Sequence, residues 1–182
     1  MLSVYLICVG KLKEKFYKDA CAEYIKRLSP YCKLTVVEIP EVKLSKDPTL
    51  GEITNALSKE GDAIRAKIPP NSRVVALCVE GRMRSSEEMA HMIPAQGSQD
   101  KHLVFVIGSS YGLHPSVKAE AQVQLSMSPM TFPHHLARVM LLEQIYRAFK
   151  INEGSPYHKR TSLLPLTNVR ADGMMRETRR KR

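Results

Sequence analysis

The chain has 182 residues, is 43% hydrophobic, and carries a formal net charge of +10 from 28 Lys+Arg against 18 Asp+Glu. That suits one domain with a largely aliphatic core, since Trp is absent and aromatics are only 6%, and it excludes an acidic or low-complexity chain. No stretch approaches the ~20 apolar residues of a membrane helix, and a cationic excess of this size suits a polyanionic partner such as nucleic acid.

Leu2–Val9 is an apolar run with β-branched members closed by Gly10, which predicts a buried strand. It lacks the basic flank of a secretory leader, and Gly10-Lys11-Leu12-Lys13 ends it. Lys13–Leu28 repeats apolar residues at helical spacing (Phe16, Ala20, Tyr24, Leu28) until Ser29-Pro30. Leu34–Ile39 predicts a second strand, and the polar stretch Glu41–Leu50 a surface loop. Gly51–Ile68 predicts an amphipathic helix stopped by Pro69-Pro70, with Gly61 weakening its middle. Arg73–Val79 is a third strand, and Glu80–Met83 reads as a tight connection. Ser85 with Glu88 three residues on forms a capping box for a helix over Ser86–Gln96. His102–Ile107 is a fourth strand, Gly108–His114 a glycine-bearing loop, and Pro115–Ala121 a short helix. Val123–Met127 is a fifth strand, and a proline-rich loop, Ser128–Pro133, leads into a long helix over Pro133–Ile151.

Strands alternating with helices predict an α/β domain whose mainly parallel sheet is covered on both faces. Ligands of such sheets sit beyond the carboxyl ends of strands. Glu80–Met83, Gly108–His114 and Ser128–Pro133 are the loops at such ends.

Gly108-Ser109-Ser110-Tyr111-Gly112 is neither a dinucleotide fingerprint nor a Walker loop. Its glycines permit close approach of backbone to a ligand, and a plain strand-to-helix turn fits as well. In Ser126–Pro133 two prolines stiffen a loop that presents Met and Phe. Such a loop walls a pocket for a flat, partly apolar ligand, or only packs on the core.

The long helix carries Leu136, Val139, Met140, Leu141, Leu142, Ile145, Tyr146 and Phe149, too widely spread for one stripe. Burial against its own sheet and a second subunit explains this; a central helix of a monomer is the alternative. Arg138 sits among apolar neighbours and needs an anionic partner or a way out to solvent. Glu143 and Arg147 form an i,i+4 pair. His134 and His135 adjoin the rigid loop, while Tyr157-His158-Lys159 offers a stacking ring, a proton carrier and a cation. That last group also suits a solvated chain end.

Cys8, Cys21, Cys32 and Cys78 make no CxxC pair and have no His at finger spacing, so no metal site is expected. Reduced thiols fit a cytoplasmic protein. Residues 160–182 hold seven basic and two acidic side chains, half of the whole excess, and read as a disordered basic tail after one domain spanning 1–159.

The segments FVIGSSYGLHPSV, LSMSPMTFPHHLARVMLLEQIYRAFKI and PYHK resemble the ribosomal RNA large-subunit methyltransferase H family, a bacterial group within the SPOUT methyltransferases. VGKLKEKFYKDACAEYIKRL, KEGDAIRAKI and LCVEGRMRSSEEMA are similar to it too, so the resemblance spans residues 1–159. It implies a C-terminal trefoil knot, a homodimer, and S-adenosylmethionine held by Leu77, Gly108, Met127, Ser128, Pro129, Met130, Thr131 and Phe132. It implies methylation at N3 of a pseudouridine in 23S rRNA within the ribosome. Tyr157, Lys159 and Arg138 would then meet RNA, and His158, with His134 next, would handle the proton. Ser109 stands where many members have a second glycine. A same-class enzyme acting on tRNA and a non-catalytic basic RNA- or ribosome-binding module are the rival readings.

Overall fold

A computed structural model of the protein describes residues 1–94 and 101–158. Its elements in chain order are β1 (Leu2–Val9), α1 (Lys15–Leu28), β2 (Cys32–Ile39), α2 (Leu50–Arg65) and β3 (Ser72–Met83). α3 (Ser86–His91), β4 (His102–Ile107), α4 (Pro115–Glu120), β5 (Val123–Ser126) and α5 (His134–Asn152) follow. The five strands form one parallel sheet in the order β2-β1-β4-β3-β5.

Alternation along each strand sorts side chains between two cores, because successive residues of a strand point to opposite faces. Val4, Leu6 and Cys8 of β1 and Leu103, Phe105 and Ile107 of β4 face Cys21 and Leu28 of α1, Met89 of α3, and Leu141, Leu142 and Ile145 of α5. Ile7 and Val9, with Val104 and Val106, face Ile64 of α2 and Val117 of α4. The sheet is thus covered on both sides, which is why β1 and β4 read as continuous apolar runs. Among the described residues no helix is long and apolar enough to cross a membrane.

Several boundaries differ from expectation. α1 starts at Lys15 rather than Lys13, after Glu14, whose side chain caps nothing. α2 starts at Leu50 rather than Gly51 because Thr49 and Glu52 form a full capping box. α3 has its Ser85–Glu88 box but ends at His91, well short of Gln96. Pro94 explains the stop: it disfavours helical backbone at Ile93 and offers no N–H of its own. Gln96 itself lies outside the described residues, as do 159–182 with the predicted tail.

The largest correction concerns Glu80–Met83. It is no tight connection but the continuation of β3, which runs 12 residues. Leu77 and Arg82 both oppose Leu125 of β5, so the register slips between them. Gly81 makes this possible. A Cβ there would lie 2.7–2.8 Å from the backbone of Gln124 and Leu125, closer than any side chain allows.

Candidate active site

The carboxyl ends of β4 and β5 and the middle of β3 open into a cleft of about 460 Å3, within the range of small-molecule sites. Leu77, Ile107, Leu125 and Met127 supply apolar wall, and the 108–113 loop closes one side. Gly108 is obligatory: a Cβ would sit 2.1 Å from the carbonyl oxygen of Gly112. The loop folds tightly on itself, with the Gly112 N–H donating to the Ser109 carbonyl at 2.9 Å. Gly112 has φ +86°, the left-handed region that glycine occupies without strain. Ser109 is accommodated, at 8% exposure, so a second glycine is not required here.

The opposite side is built by 126–132. The Ser126 hydroxyl donates to the Ser128 carbonyl at 3.0 Å, and the Met130 N–H donates to the Ser128 hydroxyl at 3.0 Å. The chain therefore turns on Ser128 while Pro129 and Pro133 stiffen it. Met127, Ser128, Met130, Thr131 and Phe132 line the cleft with Leu77 and Gly108; Pro129 does not. Pro133 sits just before the first turn of α5 with extended backbone, not inside it.

Two charged residues escaped the sequence reading. Glu80 and Lys118 both border the cleft and form an ion pair. Hydrogen bonding from Lys118 holds the Glu80 carboxyl below its ordinary range. No spacing rule joins residues 38 apart, and Glu80 lies within β3 rather than in the connection expected there, so nothing in the sequence paired the two.

His134 also borders the cleft. Its Nε2 is buried, has no hydrogen-bond partner among the described residues, and abuts Gly10, where a Cβ would lie 3.1 Å away. Burial pushes the imidazole pKa down, and the neighbouring His135 adds to this. Folding therefore favours the neutral form of the ring.

The remaining predicted residues stand elsewhere. Arg138 is 2% exposed, and this corrects its reading as an RNA contact. Its Nη1 donates to Glu38 at 2.7 Å and its Nη2 to the Gly10 carbonyl at 3.0 Å. The anionic partner its apolar setting demanded is thus internal, 100 residues away in sequence. The Tyr157 hydroxyl donates to Glu143 at 3.2 Å, its ring lies under the Arg147 guanidinium at 4.9 Å, and it meets Tyr146 edge-on at 5.0 Å. His158 Nε2 donates to Glu87 at 2.8 Å, and this bond, first among several, holds Glu87 down at about 2. Neither residue borders the cleft. Lys159 lies outside the described residues.

Among the described residues no group of three or more His, Cys, Asp or Glu side chains gathers as a metal site. Burial raises the Cys8 thiol to about 12 and Cys32 to about 11, so both stay protonated and unreactive. The cleft instead combines apolar walls, glycine backbone and a pair of opposite charges. That set fits a ligand with a flat heterocycle and a zwitterionic end, as S-adenosylmethionine has.

The chain has a fold similar to that of a solved structure described as a probable methylase family protein from Haemophilus influenzae Rd KW20. The TM-score is 0.50 at 13% identity, covering 88% of this chain and 72% of that one. The family model described as Predicted SPOUT methyltransferase matches residues 2–158, nearly every residue that the fold and cleft involve. The chain therefore belongs to the SPOUT methyltransferase family, whose members methylate their substrates with S-adenosylmethionine as donor.

Proposed function

We propose that this protein methylates N3 of a pseudouridine in 23S rRNA on the ribosome, as the resemblance to the ribosomal RNA large-subunit methyltransferase H family implies. The observation that carries this reading is the cleft itself. Leu77, Gly108 and five of the six residues Met127–Phe132 line one cavity, between the carboxyl ends of β4 and β5 and the middle of β3 that lies between them. The bound cofactor would supply an electrophilic methyl on a sulfonium, so the chain's own work is alignment and removal of one proton. Leu77, Leu125 and Met127 would exclude water around a flat ring. Thr131 and the Glu80–Lys118 pair would meet polar ends.

The N3 proton needs a neutral base. His134 is the base this chain would bring from the border of its own cleft, supported by its lowered pKa. His158 would have to arrive from a second copy. Glu143, which holds Tyr157, lies nine residues along α5 from His134, about 14 Å of helix rise. A homodimer through α5 belongs to the same proposal, as does the trefoil knot. It is supported by the half-buried Val139 and Met140, which with Tyr24 and Met89 line a second groove behind the Leu125–Met127 wall.

Mass spectrometry of rRNA from cells with and without the protein tests the substrate. Loss of one N3-methylpseudouridine without the protein is expected; a missing methyl on tRNA instead sinks the rRNA reading. Single-turnover assays of His134→Ala and His158→Ala on ribosomes separate the bases. The variant that retains full activity is not the proton acceptor.

A further inference from the structure

Gly10 follows the carboxyl end of β1 and turns the chain with φ +87°, its N–H donating to the Ile39 carbonyl at 2.8 Å. The next residues leave Phe16 63% exposed at the start of α1. Folding gains little from a phenyl ring held in water, so its position calls for another explanation. Phe16 is also not alone. Its ring centroid lies 4.2 Å from that of Tyr17, Tyr17 lies 5.8 Å from His135, and His135 lies 4.0 Å from His134. His134 borders the cleft. Four rings therefore run in series from solvent to the cleft wall.

Cations flank this row. Lys11, Lys13 and Lys18 are exposed and make no ion pair among the described residues. Lys15 is different, since Asp19 holds it at 2.5 Å. Glu14 is turned toward His135 Nδ1, at 3.5 Å. An interface for another protein would surround an exposed ring with apolar side chains and few lysines. Alternating rings and free lysines instead match the faces and phosphates of a nucleic acid strand.

We infer that residues 11–18 form a ridge holding a single-stranded stretch of RNA beside the cleft, with one base stacked on Phe16 and phosphates on Lys11, Lys13 and Lys18. The inference rests on the RNA-methylation reading and adds to it the surface that leads substrate in. Stacking on Phe16 is indifferent to base identity, whereas the three lysines neutralise phosphate charge. The two parts of the ridge therefore leave different signatures.

Fluorescence anisotropy with the full chain and a fluorescein-labelled decauridylate reads both. Phe16→Ala is expected to weaken binding roughly 5- to 100-fold with an unchanged salt dependence. Phe16→Trp should bind as well as the parent, because the indole offers an equal or larger face. Replacing Lys11, Lys13 and Lys18 together by Gln should flatten the slope of log affinity against log salt by about 2. Parent-like binding by both variants, or no measurable binding by the parent at low salt, overturns the ridge. So does a Phe16→Ala effect confined to self-association in sedimentation, which would make this face a contact with a second copy. Calorimetry with S-adenosylmethionine on the same samples keeps the two readings apart. If cofactor fails to bind while the ridge variants lose RNA, methylation falls and the ridge stands. If cofactor binds and RNA affinity is unmoved, only the ridge falls.

Discussion

The cleft wall at 126–132 and the segment Tyr157–His158 flank the same helix, yet they are held by different means. Backbone holds the wall: two prolines, a turn hydrogen-bonded through Ser128, and a glycine loop opposite with no room for a methyl group. Acidic side chains hold the 157–158 segment, Glu143 gripping Tyr157 and Glu87 gripping His158. Backbone geometry persists across pH and salt, whereas an exposed carboxylate contact depends on both. The wall is therefore built as a fixed mould. The contacts at Tyr157 and His158 are of the kind that pH and salt loosen.

The sharpest way to break this contrast is Gly108→Ala. Its methyl group would collide with the Gly112 carbonyl, so the loop must move. Calorimetry should show S-adenosylmethionine affinity falling more than about 100-fold, a loss equivalent to roughly 3 kcal/mol. Affinity within a few-fold of the parent would mean the mould is softer than the packing implies.

Next comes the internal cation. Arg138→Met and Glu38→Gln each disrupt a pair whose arginine is fully enclosed. Glu38→Gln leaves that arginine charge unmatched and should cost about 3 kcal/mol in urea unfolding. Arg138→Met strands only the half-exposed acid and should cost less. Equal costs would show that Arg138 is not the member that depends on the pair.

A smaller effect follows from His134. Its folded pKa lies below the unfolded value of about 6.5, so folding disfavours its protonated form. The stability it contributes is complete above about pH 6.5 and is lost as pH falls through the folded value. His134→Gln should reduce the loss of stability between pH 7 and pH 5 in paired urea titrations. An unchanged pH slope would show that the ring is not held neutral.

The smallest effect belongs to the 157–158 segment. Glu87 sits at about 2, so its contribution is present above about pH 4.5 and fades as pH drops toward 2. Hydrogen exchange at Tyr157 and His158 should rise over that window in the parent. In Glu87→Gln it should already be high at neutral pH, with the global unfolding midpoint nearly unchanged. A matching fall in global stability would show that this segment is part of the core.

The sequence made the sheet legible because β1 and β4 are buried on both faces and so appear as unbroken apolar runs. The cleft loops were legible from topology alone, since they had to lie beyond strand ends. The continuation of β3 through Gly81 was not, because a glycine beside charged residues signals a turn unless one knows that another strand's backbone lies against it. Arg138 declared that it needed an anion but not which one, as Glu38 is brought to it only by the pairing of β1 with β2. The Glu80–Lys118 pair had no local signature at all. Tyr157 and His158 were singled out chiefly through resemblance, and their contacts in a single chain lead away from the cleft.

The Arg138 guanidinium has a mechanical consequence. It grips the carbonyl of Gly10 and the carboxylate of Glu38 while rooted in the second turn of α5. One rigid, planar fork thus bolts the ends of β1 and β2 to the helix that begins at the cleft wall. Residues 11–18 leave directly from Gly10, so their offset from the cleft is set like the arm of a gauge. Whatever docks on that arm is presented to the cleft at a constant reach.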